Sequence, residues 1–131
     1  MKIVHDIPPN YEEIKRSHLK PDEGAIFAYG DTLYVPHGRD VPPDIMYHEE
    51  VHAKQQKVYI SPQIWWTKYI YDRDFRLHQE VEAYKEQYLF VKRNTNVKIA
   101  RECLNELSDN LSGTMYNLGI TKHQAERMIR K

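Results

Sequence analysis

All seven prolines of this chain, Pro8, Pro9, Pro21, Pro36, Pro42, Pro43 and Pro62, lie in its first half. Proline lacks an N–H and its ring collides with the preceding helical turn, so it is confined to first turns, strand edges and loops. Everything after Pro62 is free of that restriction. The chain therefore reads as an irregular, partly extended N-terminal third followed by a helical two-thirds. Its 131 residues suit one domain with a modest core.

The pattern of apolar residues divides the chain further. A short helix is expected over residues 10–20, with Asn10 as its cap and Pro21 as its stop. Residues 24–36 (GAIFAYGDTLYVP) place two short apolar runs around Gly30-Asp31, which predicts a β-hairpin with strands near 25–29 and 32–35. An isolated hairpin is marginal in water, so this one must lean on helices. The first long helix is expected over residues 40–58, with Asp40 as a possible cap. The next spans Ser61 to about residue 72, and the third about Asp74 to Arg93, burying Leu77, Val81, Tyr84, Tyr88 and Val91. A fourth covers residues 96–111, with Ile99, Cys103, Leu107 and Leu111 as its stripe. Thr121 caps a last short helix that turns Ala125, Met128 and Ile129 inward. Adjacent Trp65 and Trp66 are expected to split between core and surface.

One stretch carries chemistry. Residues 48–52 read His48-Glu49-Glu50-Val51-His52, an H-E-x-x-H motif on a segment already assigned to a helix. Residues i and i+4 lie one turn apart on the same face, so both imidazoles can aim at one metal ion. Glu49 is rotated about a quarter turn from His48. It flanks the metal rather than ligating it, where a carboxylate can take a proton from an activated water. The bland alternative is a solvated polar helix face.

A catalytic zinc of this kind takes a third protein ligand and leaves a position for water. Glu80 and Glu82, two apart on the following helix, point to nearly opposite sides. Glu80 shares its face with Leu77, Ala83, Tyr84 and Gln87; Glu82 shares its face with His78, Lys85 and Glu86, which looks solvated. Glu80 is therefore the chosen ligand, with His78 a minor alternative. Ala83 is small enough to let the two helices approach closely. An oxyanion-stabilising group is sought among Tyr69, Tyr71, Tyr84, Arg73, Arg76 and His78. Residues 1–23 are long enough to cover a cleft, with His5, Asp6 or His18 as the source of a fourth ligand. The remaining histidines, His37 and His123, read as surface residues along with them.

With HEEVHAKQQ followed by the E-x-x-A-Y segment at Glu80–Tyr84, the chain resembles the gluzincin group of zinc metallopeptidases. It is most similar to their compact single-domain forms, the minigluzincins of bacteria and phages. The resemblance spans roughly residues 24–93. It implies zinc (Zn2+) held by His48, His52 and Glu80, Glu49 as general base, and the hairpin strand running along a substrate cleft. Related peptidases often carry an Asp four residues after the glutamate ligand; Tyr84 stands there, so a motif histidine must find another hydrogen-bonding partner.

The expectation is thus an α+β, mainly helical, zincin-like domain over residues 1–131, with its small hairpin packed on the active-site helix. Residues 1–23 form an irregular N-terminal segment, 24–93 the metal-site core and 94–131 the C-terminal helices. The expected function is zinc-dependent hydrolysis of peptide bonds in a peptide or protein substrate; the alternative is a zinc-binding structural or host-interaction module that does not cut. Lys+Arg and Asp+Glu are balanced at 19 each, which argues against bulk nucleic-acid binding. No window approaches the roughly 18 consecutive apolar residues of a membrane helix. The N-terminus shows no apolar run before its charges, so no secretory leader is expected. Cys103 is the one cysteine; it reads as an inert core thiol and excludes an internal disulfide. A cytoplasmic setting is expected, the host cytoplasm if the chain is phage-encoded.

Overall fold

The computed structural model describes residues 1–131. It is α+β, with six helices and one small sheet. In chain order these are β1 (Lys2–Val4), α1 (Tyr11–Arg16), β2 (Phe27–Tyr29), β3 (Thr32–Tyr34), α2 (Pro43–Gln56), α3 (Pro62–Tyr71), α4 (Arg73–Asn94), α5 (Val97–Ser112) and α6 (Lys122–Arg130). No helix is long and apolar enough to cross a membrane.

The expected hairpin forms. β2 and β3 pair antiparallel with Ala28 opposite Leu33, and Gly30 makes the turn at φ +63°, a conformation that costs glycine nothing. The N-terminal segment is less irregular than expected. β1 joins the sheet parallel to β3, with Ile3 opposite Leu33, giving the order β1-β3-β2. A three-residue strand this short leaves no period to read in the sequence.

The hairpin leans on α2 and α3 by an unusual route. The Gln56 amide donates to the Ala28 carbonyl at 2.8 Å and accepts from the Gly30 N–H at 2.7 Å. One buried side-chain amide thus stands in for a neighbouring strand along the edge of β2. Trp66 Nε1 also donates to the Ala28 carbonyl, at 3.0 Å. These bonds cover an edge that would otherwise be bare.

The core has two parts. One gathers Tyr84, Tyr88, Leu104, Leu107, Leu111, Leu118 and Ile129 from α4, α5, α6 and the connecting loop. The other gathers Ile14, Leu19, Phe27, Trp65, Trp66, Tyr69 and Ile70. Both tryptophans are buried, which corrects the expected split. Trp65 faces α4, donating to Gln79 Oε1 at 2.9 Å, and Trp66 faces the sheet at Ala28, so two faces of α3 are covered. On α5 the buried residues are Ala100, Leu104, Leu107, Ser108 and Leu111. The stripe is rotated by about one residue from the expected one, leaving Ile99 exposed and Cys103 half-buried.

The helix ends match expectation in part. Thr121 caps α6 as expected, in a reciprocal capping box with Gln124; α4 starts at Arg73, just ahead of the expected Asp74, because Asp72 caps it by accepting from Phe75 N–H at 3.0 Å. Asn10 precedes α1 as expected, yet its side chain makes no capping bond and lies buried without a partner. α2 starts after Pro42 rather than at Asp40, because Pro43 is preset for the first helical position.

Candidate metal centre

α2 is built against the usual logic of a core helix. It buries His48, Glu49, His52, Gln55 and Gln56, and the one apolar residue among those it buries is Ala53. Burying polar groups is costly unless each finds a partner, so their partners define the site. α2 packs chiefly on α4, where the fully buried Ala83 keeps the contact close.

Across that contact Glu80 reaches both histidines. Its carboxylate stands 3.3 Å from His48 Nε2 and 3.2 Å from His52 Nε2. Glu49 is farther, 3.9 Å from His48 Nε2. The donor atoms of His48, Glu49 and His52 lie within 4.8 Å of one another, so this buried group can hold a metal ion. Glu80 Oε2 accepts from Tyr69 Oη at 2.5 Å. Glu80 Oε1 is buried without a hydrogen-bond partner.

The tautomers of the two histidines follow from their neighbours. Gln87 Nε2 donates to Asp44 Oδ2 at 2.8 Å. That turns Gln87 Oε1 toward His48 Nδ1, 3.0 Å away. Gln55 Nε2 donates to Glu82 Oε1 and to the Gln79 carbonyl, at 2.8 and 3.0 Å. That turns Gln55 Oε1 toward His52 Nδ1, 2.8 Å away. An amide oxygen only accepts, so Nδ1 is the donor in both rings. Each neutral histidine then presents the lone pair of Nε2 to Glu80.

Two lone pairs and a carboxylate converge with nothing but acceptors facing one another. The arrangement calls for a cation. The orphaned Oε1 of Glu80 and the two pinned Nε2 atoms therefore fit a metal ion. Without one, a proton answers part of the demand. Burial pulls the His52 imidazole down, but the Glu80 carboxylate outweighs it and lifts His52 to about 9. Burial likewise works to raise the Glu80 carboxyl, and the two histidines hold it far below the ordinary carboxylate range.

Glu49 is buried too. Burial raises its carboxyl, His48 and His52 pull it down, Glu80 pushes it up and Arg39 pulls it down, with a net rise. Glu49 lines a cavity of about 280 Å³ together with His48, His52 and Glu80. Aromatic rings close the site around the histidines. Tyr84 lies against His48 with ring centroids 4.5 Å apart, and Trp65 against His52 at 5.5 Å. Each of the two cores thus lends a ring to one histidine.

Of the residues sought for stabilising an oxyanion, Tyr69 and Tyr84 line the cavity. Tyr84 Oη is bound to Tyr116 Oη at 2.7 Å. Tyr71 and His78 are exposed, and Arg76 is buried elsewhere, donating to four backbone carbonyls. His5, Asp6 and His18 are exposed and do not line the cavity. The N-terminal third still forms part of the wall, through Ile14, Leu19 and Pro21. Gln55 was not singled out in the sequence, although its place three residues after His52 puts it on the same face. Gln87 was seen only as a neighbour of Glu80 on its helix. Glu82 is exposed as expected, and it holds Gln55 in place.

No known family, curated protein or solved structure matches this chain.

Proposed function

We propose that the chain is a zinc-dependent peptidase of the gluzincin kind, acting on peptide or protein substrates. The observation that carries the reading is the convergence of His48 Nε2, His52 Nε2 and the buried Glu80 carboxylate at the wall of a cavity that Glu49 shares. His48, His52 and Glu80 would hold the zinc. Bound there, zinc supplies a Lewis acid that polarises a carbonyl and makes a water acidic near neutral pH.

The chain's own groups supply the rest. Glu49 takes the proton of the attacking water and returns it to the leaving amine. Its burial favours this, because a carboxylate raised by desolvation is the stronger base. Gln55 and Gln87 keep Nε2 of each histidine free and turned inward. Tyr69, bound to Glu80 Oε2, fixes the rotation of that carboxylate. The aromatic rings of Tyr84 and Trp65 exclude water from the histidines, which strengthens every charge interaction among them.

The alternative is a zinc-binding module without catalysis. It requires a fourth protein ligand or a filled cleft. A cavity adjoins the cluster, and that observation favours the peptidase. In the test, Glu49→Gln keeps stoichiometric zinc and loses hydrolysis of a peptide library. Unchanged hydrolysis in that variant would overturn the reading.

A further inference from the structure

The cavity beside Glu49 has one lysine or arginine in its lining, Arg39. Arg39 sits in the loop between β3 and α2, and its side chain is exposed. It makes none of the ion pairs of this structure. Across from it is Gly24, at the start of the segment that runs into β2. A Cβ at Gly24 would lie 3.5 Å from Arg39 Nη1 and 3.6 Å from Asp22 Oδ1. Arg39 Nη1 therefore lies over Gly24 at the rim of the cavity. Asp22 Oδ1 accepts the Gly24 N–H at 2.9 Å and makes no ion pair with Arg39. Carboxylates of Asp44 and Glu106 also line the cavity.

We propose that Arg39 is a specificity-determining residue, binding a carboxylate of the substrate at the cavity rim beside Gly24. The proposal rests on the peptidase reading of the same cavity. A guanidinium is planar and always charged, and it offers paired N–H groups that match a carboxylate. Arg39 stands outside every ion pair and is the one lysine or arginine lining the cavity, so it is free to take a carboxylate. The carboxylate comes either from an Asp or Glu side chain or from the end of a peptide chain; the chemistry at Arg39 is the same.

The test uses matched peptides on the zinc-loaded protein. One pair differs as Glu against Gln at each position around a central apolar core. A second pair differs as a free C-terminus against a C-terminal amide. Binding is read on the Glu49→Gln variant, with Trp65 and Trp66 as fluorescent reporters because both line the cavity. Hydrolysis is read on the parent protein. A peptide with the carboxylate is expected to bind roughly tenfold more tightly than its amide partner, the scale of a charge-assisted pair. Arg39→Met should erase the difference, Arg39→Lys should keep part of it, and Arg39→Glu should reverse it. Arg39→Met should keep one zinc per chain and the parent's circular dichroism, which separates a binding role from a folding defect. The pair that responds tells which source of carboxylate Arg39 takes.

Discrimination in binding without any hydrolysis would leave Arg39 its role and overturn the peptidase reading. Hydrolysis without discrimination would overturn the role of Arg39 and leave the peptidase. Neither binding nor hydrolysis at millimolar peptide would overturn both.

Discussion

Gln55 lies one turn beyond His52 on the same helix, and its amide oxygen accepts the His52 Nδ1–H at 2.8 Å. The same relation recurs across helices, with Gln87 of α4 accepting from His48 Nδ1 at 3.0 Å. Behind each amide stands a carboxylate, Glu82 in one case and Asp44 in the other. The protein thus places a neutral amide between each histidine and its carboxylate. An amide orients the ring without offering to take its proton. Replacing Gln55 or Gln87 by Leu should weaken zinc about 10- to 100-fold, the usual cost of losing such a partner. Competition against a chromogenic chelator measures it. Unchanged affinity in both variants would mean that packing by Trp65 and Tyr84 alone aims the rings.

Glu80 faces the two histidines, and Glu82 faces the Gln55 amide. Glu80→Ala should abolish zinc binding, because it removes the carboxylate that faces both Nε2 atoms. Glu82→Ala should retain one zinc per chain with a smaller loss of affinity, since it releases only the far end of the Gln55 amide. Elemental mass spectrometry of protein purified without chelators reads both. Equal retention of metal in the two variants would remove Glu80 from the site.

Arg76 is 1% exposed and has no carboxylate partner among its hydrogen bonds. It donates to the carbonyls of Tyr69 and Ile70 in the last turn of α3, where the helix dipole is negative. It also donates to the carbonyls of Tyr116 and Asn117, so it staples the loop that carries Tyr116 to the end of α3. Arg76→Met should cost about 3 kcal/mol or more, because it strands buried carbonyls. Arg76→Lys should recover little, as one ammonium cannot span those acceptors. Urea unfolding of the metal-free proteins is the check, and a loss under about 1 kcal/mol would contradict the staple.

Cys103 is half-buried at the cavity wall. Burial pushes its thiol up to about 11 from an ordinary 9.0, with Asp44 and Glu106 adding to the rise. The thiolate is the reactive form, so two units of pKa make it about 100-fold scarcer at pH 8. Alkylation at pH 8 should run slower than for a free thiol and accelerate up to about pH 11. A rate that levels off near pH 9 would show an unperturbed thiol.

Much of the fold was legible in the chain itself. Prolines confined to the first half marked an irregular, partly extended N-terminal third before the helical two-thirds, and Gly30-Asp31 marked the hairpin turn. The grouping of His48, Glu49 and His52 was legible because a helix fixes the geometry of i and i+4 before any tertiary contact exists. The burial of Glu80 was legible from its neighbours: Ala83, Tyr84 and Gln87 shared its face, and all are buried.

What the chain could not show on its own were relations between segments far apart in sequence. β1 is three residues long and takes its identity from β3 beside it. The burial of both Trp65 and Trp66 depends on the sheet lying over one face of α3 and helix packing over another. The roles of Gln55, Gln56 and Gln87 are the clearest case. A glutamine on a helix is an ordinary surface residue until another element presents an acceptor, a donor or an imidazole within about 3 Å. Local sequence determined which side chains could share a face, because backbone periodicity is a property of neighbours. The tertiary structure decided which amide meets which histidine, and which carboxylate is driven into the core, because burial and pairing exist only once the helices pack.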